Sequence, residues 1–388
     1  MKIVHVVPNA PYNDNWGYQD NLLPKHHKIM GHDVTVITTN LIHSNGAVEQ
    51  IEPCEYTLDD GVKVIRLKHR QYLFPVITAL FTKLDIYDLL KTIKPDFIFY
   101  HGLVSNTIFD VLKYKRNVNK KCVIVEDNHL DYNIGSHSKG LKKILGRGYY
   151  RLINRIASPK VARIYGVTPW RKQYAEDYFK CPKEKTDVLI MGADDSKIDF
   201  TNRVSIRESL RKKYSFSSDD FVIITGGKID AKKNVIQLMD SIIKIDNPNV
   251  KLLIFGNADE KIKEVFNERI SLCNRIVYIG WIGSDEVYNY FFASDLAFFP
   301  GQHSVLWEQA CASKIPCVFK KWEGMDHVDC GGNSLLISDV SEESITDTIN
   351  SLLYTKKYES MREIALSNKT DIYLYSKIAQ KSLECINL

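Results

Sequence analysis

Phe221-Val222-Ile223-Ile224-Thr225-Gly226-Gly227-Lys228-Ile229-Asp230-Ala231-Lys232-Lys233-Asn234 joins a β-branched apolar run to two glycines, a set of lysines and then a helical stretch. The run predicts a strand over Phe221 to Thr225, buried on both faces as in a parallel sheet. The glycines Gly226 and Gly227 let backbone approach a ligand closely, and Lys228 and Lys233 bring positive charge to the same strand end. That combination suits a diphosphate; a tight turn with solvated lysines is the plainer alternative. GxxxxGK[ST] does not occur, so a nucleoside triphosphatase P-loop is not supported.

Outward from this stretch, β-branched runs alternate with helical spacing along the whole chain, the pattern of parallel βαβ units. Strands are predicted at Lys2 to Val7, Asp33 to Thr38, Val62 to Leu67, Phe97 to His101, Cys122 to Glu126 and Arg163 to Val167. A second series begins at Phe221 and continues with Lys251 to Phe255, Ile276 to Ile279, Leu296 to Phe299, Cys317 to Lys320 and Ser334 to Ile337. Each series is enough for one open sheet, and the polar, irregular stretch around residues 190–202 predicts the hinge between them. The fold class is α/β, with two doubly wound, Rossmann-like domains whose ligands sit at the carboxyl ends of the strands, in a cleft where the sheets face one another.

The 388 residues fit two domains, and 44% hydrophobic with 26% charged residues argues against disorder, collagen or a coiled coil. The longest apolar stretches fall short of the ~18 to 20 residues that cross a bilayer. Met1-Lys2-Ile3-Val4-His5-Val6-Val7 reads as a first strand rather than a signal peptide, which predicts a cytoplasmic protein. The eight cysteines are scattered without a CxxC pair, so free thiols are expected, with no zinc site or disulfide framework.

The net charge of +5 hides an asymmetry. Residues 1–190 hold 28 Lys and Arg against 19 Asp and Glu, a surplus of +9, and residues 191–388 hold 24 against 28, a balance of −4. Residues 112–172 alone hold 15 basic and 3 acidic side chains.

Two further motifs concern binding. After the first strand, Gly17 lies in a loop before a helix that stops at Met30-Gly31-His32, a geometry that offers bare amides to an anion or is simply a turn. After Leu296 to Phe299 comes Pro300-Gly301-Gln302-His303-Ser304-Val305-Leu306-Trp307-Glu308. From Val305 onward the residues suit a helix, which places the amides of Ser304 and Val305 at its positive end. A carboxylate at Glu308 can accept two hydroxyl hydrogen bonds from a ribose, or merely complement the helix dipole.

With these motifs in this order, the chain resembles the retaining GT-B glycosyltransferases of family 4 over almost its whole length. Gly17, the helix after it and Gly31-His32-Asp33-Val34 match the family's N-terminal glycine loop and Gly-His-x-Val. Gly227 to Asn234 resembles Gly-Arg-Leu-x-x-x-Lys-Gly, with Lys228 in place of the diphosphate-binding Arg and Lys233 in place of the Lys. Leu253-Ile254-Phe255-Gly256-Asn257 resembles the strand that ends in a Gly beside the base, and Glu308 matches the second, ribose-holding Glu of Glu-x7-Glu. Pro300 stands where the first Glu belongs, which passes its role near the donor sugar to Gln302, His303 or backbone, or leaves activity weak or absent. An Arg replaced by Lys228 also exchanges a two-pronged fork for a point charge.

The resemblance implies domains 1–195 for the acceptor and 196–370 for the nucleotide sugar, with 371–388 including a helix that crosses back onto the first. It implies retention of configuration, with the leaving diphosphate of the donor taking the acceptor proton, so that Lys228, Lys233 and the amides near Ser304 position the donor and stabilise the diphosphate. No Asp-x-Asp occurs, and no obligatory metal or other cofactor is expected. His101, in Tyr100-His101-Gly102, and His129, in Glu126-Asp127-Asn128-His129, fall where the family places polar groups facing sugar and acceptor; each is otherwise a structural histidine at a strand end. Asp127 or Glu126 can orient an imidazole there.

Between Lys139 and Arg163 stand eight basic residues and no acidic ones, while Leu141, Ile144, Leu145, Tyr149, Leu152 and Ile156 recur at helical spacing. Lys142, Lys143 and the stripe Arg147, Arg151 and Arg155 predict a helix resting on anionic lipid, with a solvated basic face as the alternative. No nucleic-acid module is recognisable. The expected partners are a nucleotide sugar, a glycan or lipid-linked acceptor and an anionic membrane surface. A nucleotide-sugar epimerase on the same scaffold, or a silent paralogue partnering another transferase, is the rival reading.

Overall fold

The computed structural model of the chain describes residues 1–44, 46–69, 83–132 and 141–387, the side chains of 141–147 and 387 excepted. It divides into two compact units, Met1–Met191 with Ile378–Leu388, and Gly192–Lys377. The division falls after Met191 instead of residue 195. The C-terminal return begins at Ile378 instead of 371, inside the helix Tyr375–Ser382, and from there Ile378, Ala379 and, past the helix, Leu383 and Cys385 are buried.

The first unit contains β1 (Lys2–Val7), β2 (Asp33–Thr39), β3 (Leu41–Ser44), β4 (Ala47–Gln50), β5 (Cys54–Thr57), β6 (Lys63–Leu67), β7 (Phe97–His101), β8 (Val123–Asn128), β9 (Arg163–Gly166) and β10 (Thr186–Val188). Eight of them form one sheet in the order β10-β9-β8-β7-β1-β2-β6-β5, and β3 and β4 pair as a separate hairpin. All pairs in the large sheet are parallel except β5 with β6. β4 and the antiparallel edge strand β5 are largely exposed, and neither carried a strong apolar signal in the sequence.

Because both faces of the sheet are covered, β1 and β7 are buried almost throughout, and the apolar runs Ile3-Val4 and Phe97-Ile98-Phe99 follow from that. The exceptions define the site: His5, Glu126, Asp127 and Asn128 are polar and buried in strands of this core. The chain order changes direction between β1 and β7, a switch point where open α/β sheets bind ligands.

The second unit holds β11 (Phe221–Ile229), β12 (Val250–Ala258), β13 (Ile276–Tyr278), β14 (Leu296–Phe299), β15 (Cys317–Lys320) and β16 (Ser334–Ile337), in the order β13-β12-β11-β14-β15-β16, parallel throughout. Its switch point lies between β11 and β14. The helix Arg203–Lys213 is anchored by Arg207 and Arg211, which grip the Asp295 carboxylate at 2.5 and 3.1 Å just before β14.

One expected loop is a strand. β11 does not stop at Thr225 but carries Gly226, Gly227 and Lys228 in register with β12 to Ile229 opposite Ala258. Gly227 and Gly256 are partners, with φ of +101° and +110°, and a Cβ on Gly256 would come within 1.9 Å of the Gly227 carbonyl oxygen. These glycines are therefore required by strand meeting strand, whatever ligand they also admit.

The basic helix spans Leu141–Ala157, and Lys139 lies outside the described residues. Among its described side chains Ile153, Asn154 and Ala157 are buried and Tyr149 packs partly buried against the core, whereas Leu152 is 57% and Ile156 41% exposed; Leu141, Ile144 and Leu145 of the expected stripe lie outside the described side chains. No described helix is long and apolar enough to cross a membrane. All eight cysteines are free, and most are buried.

Candidate functional site

At the carboxyl ends of β1, β7 and β8 the first unit encloses a cavity of about 500 Å³. Pro8, Trp16, Leu103 and Leu130 line it with apolar surface, and Gln19, Asp20, His101 and His129 give it a polar wall. Trp16 stacks on His43 with ring centroids 5.5 Å apart, a flat aromatic platform at this cavity.

The polar wall is organised by Asp127. Its Oδ1 accepts the Gly102 N–H at 2.8 Å, and its Oδ2 faces His101 Nδ1 at 2.8 Å and His129 Nε2 at 3.2 Å. Burial alone raises a carboxyl; here the charges of His129 and His101, with their hydrogen bonds, hold Asp127 well below the usual carboxylate range. Burial works against charge on His129 too, yet the Asp127 carboxylate beside it raises its pKa. Glu126, the neighbour on the other side of β8, is pushed up to about 8 by burial and by the Asp127 charge.

Behind His101 the network continues inward. His101 Nε2 lies 3.1 Å from His5 Nδ1, and His5 Nε2 lies 3.0 Å from His27 Nδ1. His27 Nε2 reaches Ser382 Oγ at 2.8 Å and the Ala379 carbonyl at 3.3 Å, both on the returning C-terminal helix. Burial drives His5 far down and His27 down to about 3.

In the second unit, the loop after β14 is strapped to the loop after β11. Lys233 Nζ donates to the Gln302 carbonyl at 2.6 Å, Asn234 Nδ2 donates to the Pro300 carbonyl at 2.8 Å, and a Cβ on Gly301 would lie 2.2 Å from Lys233 Cα. Burial lowers the Lys233 ammonium. One of its three N–H groups is spent on this strap, which leaves two for a ligand. Lys228 is exposed at the end of β11, and Gln302 is exposed too.

The helix after this loop, Leu306–Ala312, has Val305 as its N-cap and only seven residues. Glu308 in its first turn is fully buried, and its Oε1 takes His303 Nε2 and His327 Nε2, each at 2.8 Å. Those imidazoles overcome the effect of burial and hold the carboxyl low. Its Oε2 is buried without a hydrogen-bond partner, as is His327 Nδ1. Of the two Glu308 oxygens, one is thus taken by the histidines and the other is buried without a partner.

Both clusters, His101–Asp127–His129 and His303–Glu308–His327, bring three potential metal-ligand atoms within 4.8 Å of one another. In each, N–H···O hydrogen bonds of ordinary length already account for the convergence.

His101 and His129 are thus brought together in the first unit, and Lys233, Gln302, His303 and Glu308 in the second; Gly227 and Gly256 face one another across two strands. Ser304 and Val305 precede the short helix as expected from the sequence. Gly17 lies between the cavity residues Trp16 and Tyr18, and a Cβ there would meet nothing within 4 Å. Arg151 and Arg155 are exposed on the basic helix, whereas the side chains of Lys142, Lys143 and Arg147 lie outside the described residues. Sequence reading missed His5, His27 and Ser382 behind the cavity, Asp20 in its wall and His327 on Glu308. A histidine inside the apolar run Ile3 to Val7 was the one visible signal among them.

Residues 206–367 match the family described as Glycosyl transferases group 1. No curated protein matches the chain significantly. Among solved structures, a glycosyltransferase from Rickettsia africae is similar with a TM-score of 0.71 and 16% identity, over 100% of this chain and 97% of that one. Anabaena Alr3699/HepE in complex with UDP gives a TM-score of 0.65 and 16% identity over 100% of both chains. A UDP-GlcNAc 2-epimerase from Neisseria meningitidis, bound to UDP-GlcNAc, gives 0.61 and 14%, again over 100% of both. The fold is therefore GT-B, and the match to Glycosyl transferases group 1 falls within its second unit.

Proposed function

We propose that the protein is a retaining glycosyltransferase of the family 4 type, moving a sugar from a UDP-linked donor to a lipid-linked or polymeric glycan in bacterial surface-polysaccharide synthesis. The observation that carries this reading is the match over residues 206–367, because that segment holds Lys228, Lys233, His303 and Glu308 at the carboxyl ends of β11 and β14. The UDP complex of the Anabaena protein supports the choice of nucleotide.

In this reading the second unit takes the nucleotide sugar. Lys233, held by its strap, and the exposed Lys228 neutralise the diphosphate, and Glu308 accepts a ribose hydroxyl through Oε2 once a side-chain shift uncovers that buried atom. The cavity of the first unit takes the acceptor, with Trp16 beneath a sugar ring and His129 and Asp20 toward its hydroxyls. The leaving diphosphate removes the acceptor proton on the same face, so the protein's contribution is placement and charge. Transfer then needs no resident metal.

Purified protein incubated with UDP-, GDP- and dTDP-sugars and a glycan acceptor should release UDP from one UDP-sugar, faster with acceptor than without. Absence of both nucleotide release and binding across the panel would sink the reading. An isomerised nucleotide sugar would favour the epimerase, which the likeness to the Neisseria structure supports.

The same reading places the protein at the inner face of the plasma membrane. Exposed Leu152 and Ile156 beside Arg151 and Arg155 support it, since apolar and cationic side chains share one surface of the helix. Liposome flotation should recover more protein with anionic than with neutral vesicles, and equal recovery at low salt would count against membrane binding.

A further inference from the structure

We propose that Gln19 determines specificity in the first unit's cavity, turning its amide inward to take two neighbouring hydroxyls of a neutral hexopyranose whose apolar face lies on Trp16. The starting observation is a defect. Gln19 is 1% exposed, it belongs to the cavity wall, and neither its Nε2 nor its Oε1 has a hydrogen-bond partner in the protein. A buried amide with both ends unmet costs stability that a methionine of the same length would not. Nothing at the start of the helix Gln19–Ile29 requires it, since Tyr18 is the N-cap and makes no side-chain capping bond. Rotation about its side-chain bonds brings the amide from behind the wall to the cavity, where a ligand supplies the missing partners.

The rest of the wall says what that ligand is. Trp16 stacks on His43, and its loop is fastened on both sides. Asn13 Nδ2 donates to the His43 carbonyl at 2.8 Å while the His43 N–H donates to Asn13 Oδ1 at 2.7 Å. The buried Arg66 donates to the Tyr12 carbonyl at 2.8 Å and pairs with Asp14 at 3.0 Å. An aromatic face held in place this way suits the C–H face of a pyranose, because little freedom is lost on binding. Among the described residues that line the cavity there is no Lys or Arg, Asp20 adds a carboxyl, and His129 is already paired with Asp127. A phosphate or uronate would enter without a balancing charge, so the ring is neutral.

An amide presents a donor and an acceptor side by side, and each hydroxyl is both. Two hydroxyls on adjacent ring carbons therefore meet Nε2 and Oε1 together. An acetamido group cannot replace them, because its N–H and C=O point to opposite edges. That this ring is the acceptor of a glycosyl transfer rests on the function proposed above; the binding of a neutral sugar at Gln19 does not.

Titration of the full-length protein with methyl glucoside, galactoside and mannoside at millimolar concentration, followed by NMR, tests the site. At least one hexoside should shift the indole N–H signal that Trp16→Phe removes, and should bind more tightly than glucuronate or a per-O-methylated glucoside. In Gln19→Met the affinity for that hexoside should fall about tenfold, while the urea midpoint stays or rises because the unmet amide is gone. A purely structural glutamine gives the reverse. Either a lowered midpoint or an unchanged affinity in Gln19→Met would overturn the proposal, and so would a variant that no longer folds. Absence of hexoside binding in the wild type, binding that leaves the Trp16 signal still, or no preference over glucuronate and the methylated ring would overturn it as well. Hexoside binding without nucleotide release would remove the transferase reading and leave the sugar site standing.

Discussion

Two buried carboxylates, Asp127 in the first unit and Glu308 in the second, are each held between two imidazoles, and they are finished differently. Asp127 has both oxygens engaged, stands at a cavity and touches His129, whose side chain is 42% exposed. Glu308 gives one oxygen to both histidines, keeps the other bare and is sealed completely. The same three residue types thus yield a fully hydrogen-bonded carboxylate behind a cavity wall and a buried carboxylate with one oxygen unpaired. A buried acceptor without a partner costs about 1 to 3 kcal/mol.

The largest expected effect breaks the pair at its more complete member. Asp127→Ala leaves the Gly102 N–H and two imidazoles without their acceptor, and breaking a buried pair in this way costs about 3 to 5 kcal/mol. Urea unfolding at neutral pH should show that loss. A change under about 1 kcal/mol would mean that the network relaxes as easily as a surface one.

Next comes Glu126, whose folded pKa of about 8 lies above that of the unfolded chain. The folded state then holds a proton that the unfolded state releases, so this residue costs stability progressively as pH rises from about 4.5 to 8. Glu126→Gln removes the cost, with a gain on the order of a few kcal/mol at pH 8 and little at pH 4. Melting curves at the two pH values check it, and an equal shift at both would refute a buried neutral carboxyl.

For the second cluster the readout is binding. Glu308→Ala and Lys233→Ala should each weaken UDP by about 1 to 3 kcal/mol, the range of a charge-assisted contact. Unchanged affinity in both, measured by calorimetry on folded variants, would remove the nucleotide site from this face.

These clusters also show what one sequence displays. The core strands were legible because parallel strands covered on both faces must be apolar throughout, and β1, β7, β14, β15 and β16 have the bounds that their runs predict. β11 was cut short because Gly226 and Gly227 look like a turn until Gly256 is seen opposite. His101 and His129 were singled out by the family resemblance and their places after strands, and both stand in the cavity wall. His5 and His27 were not, since their roles depend on contacts 96, 22 and 355 residues apart along the chain, which no spacing encodes. His327 lies 19 residues beyond Glu308, past a strand, for the same reason.

Gly17 gives the smallest stability change and the sharpest contrast with Gly256. Gly256 cannot become Ala, because its φ of +110° and the Gly227 carbonyl both forbid a side chain. At Gly17 φ is ordinary and a Cβ would meet nothing within 4 Å, so folding places no demand on this glycine. Gly17→Ala should leave the melting midpoint within the range of an exposed substitution, about 0.5 kcal/mol or less. If Gly17 is there to let a ligand approach the backbone between Trp16 and Tyr18, donor or acceptor affinity should fall several-fold at that constant stability. Equal affinity would make Gly17 a bystander, and the first unit's binding surface would then begin at Gln19 and Asp20.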